Sequence, residues 1–239
     1  MNAMLTPAER KLSTFASRLG EWSAANGRSF PWRTATNPFH LLMAELLLRK
    51  TQAERVEPIY TELTARFSTP AEVLRAKKGE LLAMLSPLGL TRRAGYLLDL
   101  CGQLVGRHEG IVPREYSDLR QLKGVGPYTA NMVLCVSYEQ PTLPVDNNIA
   151  RLVSRVFGLA RRGDTRREVD VERTLANVSF YGGLERLTFA MLDFAALVCT
   201  ARNPDCRTCV MKHICCWAES QAVEADRRGA ASSAAKLAM

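Results

Sequence analysis

Four cysteines near the end of the chain, Cys199, Cys206, Cys209 and Cys215, are separated by six, two and five residues. This spacing restricts the fold more than any other feature, since four thiols so close along the chain read as one compact site. In a chain with no secretory signal pattern, such a set holds a metal centre rather than disulfides. Structural zinc sites bring their ligands in two Cys-x-x-Cys-like pairs. Only Cys206 and Cys209 form such a pair here, so spacing leaves both an iron-sulfur cluster and zinc open. Cys216, beside Cys215, competes for the fourth position. Cys101 and Cys135 lie in apolar helical segments and read as core residues.

The 239 residues, 47% of them hydrophobic, suffice for one large domain or two small ones. Even the apolar run Leu41 to Leu48 is interrupted by Glu45 and is followed by Arg49 and Lys50, so no membrane span and no membrane partner is expected. The first residues lack the pattern of a signal peptide, which predicts a cytoplasmic protein with reduced thiols. Thirty-two basic against 24 acidic side chains give a formal charge of +8 and a pI near 9.3, favouring a polyanionic partner.

Apolar residues recur at intervals of three and four, and alternating β-branched runs are few, which predicts an all-α protein. A first helix is expected from about Thr6 to Asn26. The Phe30-Pro31-Trp32-Arg33 segment then interrupts the helical pattern. Asn37 as N-cap with Pro38 at the first position opens a helix expected to reach Gln52. Further helices are expected near 56–66, 70–75, 79–86, 91–106 and 115–121. Gly124 and Gly126, in Leu122-Lys123-Gly124-Val125-Gly126-Pro127-Tyr128, mark a tight turn between two helices. The amides at the following helix N-terminus can hold a phosphate; an ordinary turn between helices is the plainer reading. Asp146 precedes the apolar face Ile149, Leu152, Val153 and Val156 and is a natural N-cap. Helices near 166–178 and 183–198 lead into the cysteine loop, and the Ala- and Ser-rich end is expected to be disordered.

A Gly-x-Gly hairpin, an aspartate about twenty residues later at a helix start, and a C-terminal Cys-x6-Cys-x2-Cys-x5-Cys loop together resemble the helix-hairpin-helix DNA glycosylases of the endonuclease III type. The match covers about residues 5–216. It implies two helical domains with DNA bound in a cleft between them. A six-helix barrel would occupy 28–140, with 1–27 and 141–216 forming an iron-sulfur domain and 217–239 a disordered tail. The resemblance also implies a [4Fe-4S] cluster on Cys199, Cys206, Cys209 and Cys215, a monomer, and double-stranded DNA with a mismatched or damaged base as partner, in the bacterial or archaeal nucleoid.

Three local features bear on the chemistry that the resemblance implies. Members that cut the strand carry a lysine where this chain has Tyr128, and a phenol cannot form the required imine. Hydrolysis of the glycosidic bond without strong lyase activity is therefore expected, with Lys123 and Lys50 as nearby amines. Glu45, among Leu, Met and Ala, resembles the glutamate of adenine and thymine-mismatch glycosylases; burial would raise its pKa and fit it to assist the leaving base, while pairing with Arg49 on a surface is its plainer role. About two dozen residues follow the cysteines, which argues against an appended domain for recognising 8-oxoguanine. Tyr128, Glu45 and Asp146 match thymine-mismatch glycosylases, with Asp146 as catalytic carboxylate. Gly124, Gly126, Arg151 and Arg155 are expected at phosphates, and Arg49 or Lys50 in the gap left by an extruded base. Trp32 is expected to pack the domains. The alternatives are an adenine glycosylase acting opposite G or 8-oxoguanine, and a non-catalytic iron-sulfur DNA-binding protein.

Overall fold

Helix α1 (Pro7–Asn26) starts where its sequence supplies a reciprocal cap. Thr6 Oγ1 accepts the Glu9 amide at 3.2 Å, and the Glu9 carboxylate accepts the Thr6 amide at 2.7 Å. The computed structural model describes residues 5–89, 91–160, 164–180 and 182–221. Among them there is no strand, and no helix is long and apolar enough to cross a membrane. The chain divides into two compact units, one formed by Arg28–Pro144 and the other by the chain before Arg28 and from Val145 onward.

The Arg28–Pro144 unit is built round α2 (Pro38–Leu48). Asn37 Oδ1 accepts the Phe39 amide at 3.0 Å and Pro38 takes the first position, as the sequence predicts. Leu41, Leu42, Met43, Ala44, Leu46 and Leu47 are all buried, so this helix is apolar nearly all round and needs neighbours on every side. They are α3 (Ala53–Arg66) and, beyond α4 (Pro70–Arg75) and α5 (Lys78–Leu85), α6 (Thr91–His108); α7 (Tyr116–Gln121) then precedes α8 (Pro127–Tyr138), which also packs on α2. Helix α2 ends four residues before the expected Gln52. Arg49 leaves helical angles to place its guanidinium on the Gly124 carbonyl, and Lys50 turns left-handed at φ 54°. Helix α3 begins three residues earlier than expected and tolerates Pro58 inside it. Trp32 is buried within this unit, stacked on Phe30 at 4.7 Å and edge-on to Tyr60 at 5.4 Å.

The other unit joins α1 to α9 (Asn147–Phe157), α10 (Asp164–Leu175) and α11 (Gly183–Leu197). Leu12, Phe15, Ala16 and Leu19 form the buried stripe of α1, and Ile149, Leu152, Val153 and Val156 that of α9. Trp22 meets Phe194 edge-to-face at 4.9 Å, and Phe15 meets Phe157 at 5.4 Å, which fastens α1 to both α11 and α9. Gly158 ends α9 at φ 73°, a left-handed conformation that favours glycine, and a Cβ there would crowd Cys216 Sγ at 3.2 Å. Residues 216–221, at the head of the stretch expected to be disordered, form a helical turn, with the Trp217 ring under the Arg155 guanidinium at 5.0 Å. Residues 222–239 lie outside the described residues.

Candidate active site and cysteine centre

In the Arg28–Pro144 unit, α2 carries Glu45 into the core with 7% of its surface exposed. No other carboxylate among the described residues of this unit is buried. At the end of the same helix, the exposed Arg49 reaches the hairpin between α7 and α8 and donates to the Gly124 carbonyl. Gly124 adopts φ 81°, and a Cβ there would meet Leu46 at 3.6 Å and Arg49 at 3.7 Å. Arg120 holds the next carbonyl, of Val125, at 2.5 Å, and the Lys123 amide donates to Gln103 at 2.6 Å. Gly126 caps α8, Pro127 opens it, and half-buried Tyr128 follows. The first amides of a helix have no acceptor within it, so this end of α8 can receive an anion. One helix and one hairpin thus link Glu45, Arg49, Gly124, Gly126 and Tyr128, with Lys50 exposed beside them.

In the other unit, Asp146 caps α9: its Oδ1 accepts the amides of Asn148 at 2.9 Å and Ile149 at 2.8 Å. Its second oxygen accepts Asn148 Nδ2 at 2.6 Å. Asn148 Oδ1 in turn accepts Arg151 Nη1 at 3.0 Å, and Arg151 reaches the carbonyls of Cys199 at 3.0 Å and Ala195 at 2.9 Å. A continuous run of hydrogen bonds therefore connects the half-buried Asp146 to the first cysteine of the loop. The carboxylate is fixed at both oxygens, as a group with a defined orientation requires.

Arg155, one turn further along α9, donates to the carbonyls of Thr200 at 2.7 Å and Ala201 at 3.0 Å, and stands 3.5 Å from Cys199 Sγ. Both arginines expected at phosphates thus grip the start of the cysteine loop. Arg18 of α1 holds the Val210 carbonyl at 2.8 Å. Arg202, Arg207 and Lys212 of the loop are exposed.

Cys199, Cys206, Cys209 and Cys215 line one small cavity, partly open to solvent, with Leu152, Phe194 and Met211. Cys216 points elsewhere, receiving Lys11 Nζ at 3.2 Å. Burial pushes the thiols of Cys206 and Cys215 up, and that of Cys209 to about 11, so a cation is needed to hold them as thiolates. Among the described residues, no three His, Cys, Asp or Glu side chains converge closely enough to hold one metal ion. Four thiols lining one apolar cavity are a donor set that fits an iron-sulfur cluster or a zinc ion.

The sequence profile of the HhH-GPD superfamily of base excision DNA repair proteins matches residues 43–177, from α2 through the hairpin and Asp146 to the end of α10. The chain belongs to this superfamily. It is 36% identical over 218 residues to a thymine/uracil-DNA glycosylase of Pyrobaculum aerophilum, covering 89% of this chain and 94% of the relative. An adenine DNA glycosylase of Mycolicibacterium smegmatis is 32% identical, over 82% of this chain and 67% of the relative. Among solved structures, a thermostable thymine-DNA glycosylase superposes with a TM-score of 0.81 at 27% identity, covering 90% of this chain and all of that one. The HhH-GPD helical fold is therefore common to the chain and its relatives.

Two features of this HhH-GPD protein escaped the sequence reading. Asp193 is completely buried in α11, six residues before Cys199. Its signal was available, a lone acid in the apolar run Ala190 to Ala196, the same sign that singled out Glu45. The bracing role of Arg18, Arg151 and Arg155 carried no comparable signal, because their acceptors are backbone carbonyls distant in sequence.

Proposed function

We propose that this protein is a monofunctional DNA glycosylase that hydrolyses the N-glycosidic bond of thymine or uracil opposite guanine in duplex DNA, acting as a monomer with a [4Fe-4S] cluster on Cys199, Cys206, Cys209 and Cys215. The observation that carries the reading is Tyr128, directly after the hairpin in a chain most of whose length resembles thymine/uracil-DNA glycosylases. A phenol at this position lines a base pocket but cannot form an imine with the sugar, which leaves water as the nucleophile.

The hairpin amides at Gly124 and Gly126 bind phosphate and set the register without reading sequence. The base then leaves the stack, at a cost lowest for a mispair, and Arg49 or Lys50 occupies the gap. Tyr128 packs against the extruded base. Asp146, oriented by Asn148 and two amides, stabilises positive charge developing on the sugar and positions water. Glu45, held in the core of α2, supplies a hydrogen bond or proton to the departing base. Arg151 and Arg155 act through the loop they hold, so that Arg202, Arg207 and Lys212 meet phosphates. The cluster supplies a rigid frame for that loop and takes no part in the bond cleavage.

A second reading, an adenine glycosylase, is favoured by the likeness to the Mycolicibacterium smegmatis enzyme. One panel of duplexes separates the two: T or U opposite G, and A opposite G or 8-oxoguanine. Release of T and U, with abasic strands that stay intact until alkali is added, is the expected result. Release of adenine alone would establish the second reading. Asp146→Asn should retain DNA affinity and lose base release by a factor of about 10² to 10⁴. Undiminished release would exclude the catalytic role of Asp146.

A further inference from the structure

We propose that Arg155 and Trp217 form a cationic lid on the cysteine centre, which offsets the negative charge of the cluster and retards its loss. The proposal rests on the cluster reading above. Arg155 touches both ends of the cysteine segment. Its guanidinium binds the carbonyls of Thr200 and Ala201, lies 3.5 Å from Cys199 Sγ, and carries the Trp217 ring 5.0 Å from its centre. Its backbone carbonyl lies 3.4 Å from Cys215 Sγ. Both side chains line the same cavity as the four cysteines.

Arg151 already secures the Cys199 carbonyl from one turn earlier on α9, so a second guanidinium is not needed for that contact alone. What Arg155 adds is charge at a sulfur. Four thiolates round a four-iron, four-sulfide core leave a net negative charge, and N–H groups at the sulfurs together with nearby charge set the potential of such a centre. A cation there favours the more reduced state, because the added electron increases the negative charge it faces. The indole covers the guanidinium, a geometry that strengthens the cation–π attraction as water is excluded.

The experiment begins with iron and acid-labile sulfide in the wild-type protein. It continues with the cluster's midpoint potential by protein-film voltammetry and the rate at which cluster absorbance is lost in aerated buffer containing a chelator. Arg155→Met, similar in length but uncharged, should lower the potential and speed loss on the order of tenfold. Arg155→Lys keeps the charge and loses the two-carbonyl grip, so its potential should stay near the wild-type value while loss is faster. Trp217→Leu should likewise speed loss. Wild-type protein lacking iron and sulfide would overturn the cluster reading itself. Wild-type protein with a cluster, and an Arg155→Met variant matching it in both potential and lifetime, would overturn the lid alone.

Discussion

His40 illustrates how a single side chain acquires a condition-dependent role from its position. It stands in the first turn of α2, where Nε2 donates to the Phe67 carbonyl at 3.1 Å. Burial pulls its pKa below the ordinary 6.5, in spite of that bond, which acts in the other direction. The folded protein therefore holds the proton less tightly than the unfolded chain. Stability from the neutral ring is complete above about pH 6.5 and declines as pH falls through the lowered folded value. The urea midpoint should fall between about pH 7 and pH 5 in the wild type and less steeply in His40→Gln. Identical pH profiles would show that the ring is not the group responsible. At the same scale, Glu45 and Asp193 were equally legible as lone acids in apolar runs, yet only neighbours from other helices decide what a buried carboxylate does.

Helix α9 concentrates the long-range polar contacts of its unit because one helical repeat places different tasks on different faces. Ile149, Leu152, Val153 and Val156 enter the core, while Asn148, Arg151 and Arg155, at intervals of three and four, run from the Asp146 cap to the cysteine loop. The apolar stripe and the cap could be read from spacing alone. The arginine row could not, since a basic face looks the same whether it meets solvent, phosphate or carbonyls. Asn148→Ala keeps the two amide bonds to Asp146 but removes the side-chain bond to the carboxylate and the acceptor for Arg151. We expect a loss of about 1 kcal/mol in stability and a several-fold lower single-turnover rate, with DNA affinity little changed. A rate equal to wild type would mean that the backbone amides alone orient Asp146. Helix α2 differs in this respect: it ends at Leu48, short of the expected Gln52, because its stop is the docking of Arg49 on Gly124, with no glycine or proline to announce it.

For the whole molecule, two units with separate cores place the cysteine centre in only one of them. Removal of the proposed cluster by chelator and oxidant should reduce hydrogen-exchange protection in α9 and α11, which line the cavity, and leave α2 and α8 protected. Uniform loss across both units would show that the centre supports the entire fold. The formal charge of +8 acts at this scale too, where it favours any polyanion without selecting one.

The helical class, the Gly124–Gly126 hairpin, the Asp146 cap and the superfamily were legible along the chain, because periodicity, capping chemistry and motif spacing are local properties. Spacing also narrowed the cysteine set to four or five thiols. Tertiary structure alone put Cys215 in the cavity and Cys216 against Lys11, turned Arg151 and Arg155 inward, and ended α2 early. Adjacent cysteines differ only in the direction they face, and the carbonyls that capture the two arginines lie more than forty residues away along the chain. Direction and long-range partners are set by packing, and no local pattern carries them.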